Sequence, residues 1–79
     1  MRIDKYLKVS RLIKRRTVAN EACDAGRICV NGKVVKASYD VKVDDVIEIA
    51  FGTKNVKAKV TSLEESVWKE DAKEMFQLL

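Results

Sequence analysis

The dipeptide Asn31-Gly32 constrains this chain more than any other feature. Both residues tolerate positive φ, the combination that a type I′ turn demands, and they stand between "RICV" and "KVV", where apolar residues alternate. Two short strands are therefore expected to fold back on each other here. A lone hairpin is barely stable in water, so its apolar face needs more strands and a covering layer. The rest of the chain offers both. "YDVKVDDVIEIAF" alternates again with a turn at Asp44-Asp45, and "VKAKV" follows a turn between Gly52 and Asn55. The expectation is an antiparallel sheet of four or five short strands over residues 27–63.

Before Gly26 the period is helical. At 100° per residue, Ile3, Tyr6, Leu7 and Ser10 gather on one arc while Lys5, Lys8 and Arg11 fall on another, the pattern of a short amphipathic helix ending near Ser10 or Arg11. The chain then turns through "LIKRR". Thr17 is placed to cap a second helix, "VANEACDA", in which Val18, Ala19, Ala22 and Cys23 share one side and Gly26 closes the end in the left-handed conformation. Asn20 stands where a full capping box would carry Glu or Gln. At the far end, Ala72, Met75, Phe76 and Leu79 recur at helical spacing, which predicts a closing helix over 67–79 with Trp68 at its edge. No proline, repeat or biased stretch divides the chain. The expected fold is a single α+β domain: two short amino-terminal helices over 1–26, packed on the sheet, and a short carboxy-terminal helix.

A chain of 79 residues buries only about 60% of the surface it exposes when unfolded, which suits a binding surface better than an enclosed catalytic pocket. Histidine, the side chain most used for proton transfer near neutral pH, is absent. Cys23 and Cys29 alone cannot complete a four-ligand zinc site and read as reduced thiols near the core, so no metal or cofactor is expected. No apolar run approaches the roughly 20 residues of a membrane span, and the basic, polar start is unlike a signal peptide. The chain reads as cytoplasmic.

Charge is distributed unevenly. Residues 1–36 hold ten Lys and Arg against three acids, a balance of +7, whereas residues 37–79 hold six against nine, a balance of −3. Crowded like charges repel, so folding gives no reason to collect Lys14, Arg15 and Arg16 just ahead of a helix whose dipole they oppose. A basic half backed by an acidic half points to an oriented encounter with a polyanion.

Taken together, two short helices at an angle, a basic corner between them, and "GRICVNG" leading into a sheet resemble the RNA-binding domain named after the fourth small-subunit ribosomal protein. That domain also occurs in tyrosyl-tRNA synthetases and many pseudouridine synthases. The resemblance spans Met1 to about Phe51 and is carried by "MRIDKYLKVSRLIKRRTVANEACDAGRICVNGKVVKAS". Within the family, the opening "MRIDKYLKVSRLIKRR" and the continuation "KASYDVKVDDVIEIAFGTKNVKAKV" are similar to the small ribosome-associated quality-control relatives of the fifteen-kilodalton heat-shock protein. This resemblance implies an RNA-binding protein, not an enzyme, that docks as a monomer on obstructed large ribosomal subunits. Its implied partners are large-subunit ribosomal RNA, peptidyl-tRNA and a quality-control factor that recruits alanyl-tRNA for non-templated alanine tailing of the stalled chain. The heat-shock relatives carry a basic carboxy-terminal extension where this chain is acidic, so contacts of that extension are not carried over. Rival readings are a generic structured-RNA binder, the targeting subunit of a separate RNA-modifying enzyme, and a protein-interaction module using the acidic half.

A-form RNA hides its base edges in a deep groove and is met mostly through shape, phosphates and 2′-hydroxyls, for which arginine's planar fork and lysine's mobile charge are suited. Arg2, Lys5, Lys8 and Arg11 are expected to line one side of the RNA surface, Lys14, Arg15 and Arg16 its corner, and Arg27, Asn31, Lys33 and Lys36 the adjoining hairpin. Asn20 adds a neutral donor on the early turn of the second helix. Each has a plainer rival: the lysines as solvated surface, Arg2 as a partner of Asp4 or Asp24, Asn31 as a turn residue. Tyr6, on the apolar arc, is assigned to the core rather than to base stacking.

Overall fold

The computed structural model describes residues 1–64 and 74–79. Helices α1 (Ile3–Val9) and α2 (Arg16–Asp24) are followed by strands β1 (Ile28–Val30), β2 (Lys33–Val34), β3 (Val46–Phe51), β4 (Lys54–Val60) and β5 (Phe76–Leu78). The strands form one antiparallel sheet in the order β2-β1-β3-β4-β5. The two helices pack on this sheet, as the periodicities imply. Ile3, Tyr6, Leu7, Ile13, Ala19 and Cys23 from the helical half meet Ile28, Val30, Ile47, Ile49, Val60 and Met75 in a single apolar cluster. In β3 the alternation places Ile47 and Ile49 inside while Val46, Glu48 and Ala50 stay partly accessible.

Local chemistry accounts for the turns. Asn31 and Gly32 have φ of 52° and 85°, the type I′ pair, and Val30 faces Lys33 across the hairpin. Gly26, at φ 73°, ends α2 in a Schellman motif: its amide donates to the Cys23 carbonyl (3.0 Å) and that of Arg27 to the Ala22 carbonyl (2.9 Å). Asp45 is buried and accepts from the Tyr39 hydroxyl (3.0 Å), the Lys42 amide (3.0 Å) and Asn31 Nδ2 (3.1 Å), fastening the loop before β3 to the β1–β2 turn.

Four expectations need correction. Thr17 does not cap α2: Arg15, with extended φ and ψ of −124° and 136°, is the N-cap, no side chain bonds the free amides, and Thr17 lies one residue inside the helix. Val18 does not join Ala19 and Cys23 in the core but is 46% exposed. α1 ends at Ser10, as expected, but Arg11 lies beyond it, off the arc of Lys5 and Lys8, with a left-handed φ of 66°. Its amide donates to the Lys8 carbonyl and that of Ile13 to the Leu7 carbonyl, which swings Ile13 into the core.

The fourth difference lies at the chain end. Phe76–Leu78 is not helical; it forms β5 on the open edge of β4, with Ala58 facing Leu78 and Val60 facing Phe76. So short a stretch at helical spacing carries little helix preference of its own, and the unpaired amides and carbonyls of an edge strand offer it a full ladder instead. Residues 67–73 of the expected closing helix, Trp68 among them, lie outside the described residues.

A left-handed arginine is strained by roughly 1–2 kcal/mol, and glycine would relieve this while adding freedom to the unfolded chain. Arg11→Gly is therefore expected to leave stability within about 1 kcal/mol of wild type in urea titrations. A loss above about 2 kcal/mol would mean that the arginine side chain supports the fold.

Candidate nucleic-acid interface

The basic residues sit at the seams between elements. Arg2 is the N-cap of α1, Lys5 and Lys8 ride on that helix, Arg11 and Lys14 lie in the corner, Arg15 caps α2 and Arg16 opens it. Arg27 follows the Schellman turn, Lys33 begins β2, and Lys36 lies just beyond it. All are exposed except Lys5, which is half-buried and engaged. Among the described residues Lys8, Arg11, Lys14, Arg15, Arg27, Lys33 and Lys36 have no acidic partner within ion-pair distance. In the sheet, by contrast, Lys57 pairs with Glu48 (3.7 Å) and Lys59 with Asp44 (3.6 Å). These seven cations of the amino-terminal half are thus unanswered by any described carboxylate, whereas two of those on β4 are answered within the protein.

Three of the expected site residues converge on one carboxylate. Arg2 donates through Nε and Nη2 to the two oxygens of Asp4 (both 3.2 Å), Arg16 Nη2 to Oδ1 (3.4 Å) and Asn20 Nδ2 to Oδ2 (3.3 Å), while the Lys5 amide donates to Oδ1 (2.8 Å). The Asp4 side chain is 3% exposed, yet those of Arg2 and Arg16 are 51% and 48% exposed, so each guanidinium holds the acid with one edge and faces solvent with another. Arg2 and Asn20 also line an open cleft of about 690 Å³ with Lys36 and Ser38. Arg27 is not brought to this cluster; it lines a separate groove of about 430 Å³ with Ile13, Val18 and Phe51. The Asn31 carboxamide is committed inward, its Oδ1 accepting from the Val46 amide (3.0 Å) and its Nδ2 donating to Asp45, which favours the turn role.

Asp4 was legible only as one possible partner of Arg2. The available signal was that it is the sole acid among the first twenty residues, set beside Ile3 on an otherwise basic helix. Burial by itself would raise its pKa, but the hydrogen bonds from Asn20, Arg2, the Lys5 amide and Arg16 together hold it below the ordinary carboxylate value. A lowered folded pKa means stability that is complete above the unfolded value, near about 4, and lost as pH falls through the folded one. Melting temperature is therefore expected to drop on acidification below about pH 4, and Asp4→Asn, which keeps the shape, to flatten that limb. Acid limbs of equal slope would refute the assignment.

Both cysteine thiols are free, and Cys23 is pushed up to about 11 by burial and then by the charges of Asp4 and Asp24. Among the described residues no cluster of His, Cys, Asp or Glu is arranged to hold a metal ion, and no helix is long and apolar enough to cross a membrane.

Comparison with known proteins agrees with this fold. The family model described as "S4 domain" matches residues 1–47, which cover α1, α2, the hairpin and the start of β3. The chain is 56% identical over 79 residues to the RQC P-site tRNA stabilizing factor of Streptococcus pneumoniae, spanning 100% of this chain and 90% of that protein. It is 57% identical over 79 residues to the factor of the same name from Listeria innocua, spanning 100% and 86%. Heat Shock Protein 15 of Vibrio cholerae, solved as a trimer, has the same fold with a TM-score of 0.92 at 21% identity, covering 100% of this chain and 81% of that one. With its two helices, basic corner and hairpin inside the matched span and its whole length shared with such factors, the chain belongs to the S4 domain family.

Proposed function

We propose that this protein binds the P-site tRNA on the large ribosomal subunit during ribosome-associated quality control, holding it in place without catalysing a reaction. The observation that carries this reading is full-length identity of 52–57% to relatives named RQC P-site tRNA stabilizing factor. The amino-terminal cations supply the means. Lys8, Arg11, Lys14 and Arg15 steer the protein to RNA and exchange condensed counterions for phosphate contacts, and α2 presents amides that no side chain caps, beside Arg15 and Arg16. Ribosomal RNA and peptidyl-tRNA are both A-form polyanions that such a surface meets by shape and backbone. In this role the protein works in the cytoplasm as a monomer. The peptidyl-tRNA it holds is the donor of the stalled chain, which passes to alanyl-tRNA brought by a separate recruiting factor.

The test is to follow the protein through a sucrose gradient of cell extract. Co-migration with free large subunits, enriched when translation is stalled and lost at high salt, supports the reading. An even spread over all RNA would demote the protein to a generic structured-RNA binder, and absence from RNA fractions would reject the function altogether. Loss of alanine tails on stalled chains in cells lacking the protein would support the further link to tailing; persistence of normal tails would remove it.

A further inference from the structure

We propose that Arg2, Arg16 and Asn20 form one preassembled phosphate site at the junction of α1 and α2, and that Asp4 is the positioning residue on which it is built. This rests on the RNA-binding reading above and specifies where one phosphate is seated. The geometry makes the acid a scaffold rather than an ion-pair partner that cancels the cations. One carboxylate receives two guanidinium groups, a carboxamide and a backbone amide, so the cluster keeps a net positive charge. Arg2 presents Nε and one Nη to Asp4, the bidentate arrangement that fixes the plane of its fork, and Arg16 spends one Nη. The remaining N–H groups belong to side chains that are half exposed.

The roots of these side chains are equally constrained. The Arg2 backbone forms an isolated antiparallel β-bridge with that of Asp40, flanked by the Val41 amide donating to the Met1 carbonyl (2.9 Å) and the Ile3 amide donating to the Tyr39 carbonyl (2.8 Å). The terminal ammonium of Met1 is tied to Asp40 at 2.8 Å. Arg16 and Asn20 stand one helical turn apart on α2, so both face α1 from the same side. An unrestrained arginine loses rotamer freedom when a phosphate captures it. Here Asp4 imposes that loss during folding, and the phosphate meets donors already aimed.

Charge counting and positioning predict opposite signs, which makes the idea testable. Asp4→Asn removes a negative charge beside the RNA surface, so simple electrostatics expects tighter binding. The scaffold role expects weaker binding. The probe is a fluorescently labelled RNA stem-loop titrated at several KCl concentrations, with circular dichroism confirming that each variant is folded at the temperature used. Asp4→Asn is expected to weaken binding about five- to tenfold and to lower the salt slope by about one contact. In an Arg2→Ala, Arg16→Ala background the same substitution should change affinity by less than about twofold, because Asp4 acts through those two arginines. Unchanged or tighter binding by Asp4→Asn, or an equal loss in both backgrounds, overturns the proposal. Should Asp4→Asn fail to fold, Arg2→Lys keeps the charge at an exposed position but cannot hold the fork on Asp4. It is expected to bind several-fold more weakly, and full affinity would overturn the site. Wild-type binding that ignores salt would instead refute the RNA-binding function, and this site with it.

Discussion

Tyr6→Ala is expected to be the most damaging single substitution in this fold, lowering unfolding free energy by about 3–5 kcal/mol. A 79-residue domain has roughly 4–12 kcal/mol in total, so the variant should be partly unfolded without denaturant. Tyr6 is fully buried at the meeting point of α1 with the sheet, and its hydroxyl donates to the Met75 carbonyl at 2.6 Å. It therefore links the first helix to the segment leading into the last described strand, across almost the entire chain. Burial also holds the phenol well above its usual pKa, so the hydroxyl remains a donor at any physiological pH. Tyr6→Phe isolates the polar contribution and should cost only about 1–2 kcal/mol. The Met75 carbonyl would still accept from the Thr61 amide (2.9 Å) and the Ser62 amide (3.2 Å), so no orphaned acceptor is left. Urea titrations of the three proteins measure both quantities. A Tyr6→Ala loss below about 1.5 kcal/mol would contradict the packing described here.

The largest effect on RNA binding is expected from replacing Lys14, Arg15 and Arg16 together with alanine. Three phosphate contacts removed should lower the salt slope by about 2.7 and weaken affinity about a hundredfold at moderate salt. Stability should move little. Arg15 caps α2 without any side-chain bond, Lys14 is exposed and unpaired among the described residues, and Asp4 retains Arg2, Asn20 and the Lys5 amide when Arg16 is gone. The change in unfolding free energy is expected to stay within about 1 kcal/mol. Lys57→Ala with Lys59→Ala is the matched control, since both lysines face Glu48 and Asp44 on the sheet. Comparable losses from control and triple variant would mean that net charge alone, not the amino-terminal corner, drives binding.

Sequence periodicity alone located both helices, and residues Ile3, Tyr6, Leu7 and Ser10 on the expected arc are all fully or almost fully buried. The same holds for the Asn31-Gly32 hairpin and the glycine stop at Gly26, because those signals arise from φ restrictions and from side chains within four residues of each other. The imbalance of charge along the chain was also plain, as was the crowding of cations at the helix entrance.

What reading along the chain did not settle were the choices made between distant segments. The end of the chain shows helical spacing, yet Phe76–Leu78 became a strand because β4 had a free edge to pair with. Thr17 has the right chemistry for a cap, but the backbone entered the helix two residues earlier, at Arg15. Asp45 and Asn31 lie fourteen residues apart and meet only after the sheet has formed.

The amino-terminal half shows the division most clearly. Composition and order alone determined that this protein carries a short helical pair, a tight hairpin and an excess of cations beside them, since each depends on neighbours in the chain. Only tertiary structure decided which cations turn outward unpaired and which are gathered, with Asn20, around the buried Asp4. The physical reason is distance: a carboxylate becomes a hub when folding brings donors from positions 2, 16 and 20 within hydrogen-bond reach, and no local preference encodes that convergence.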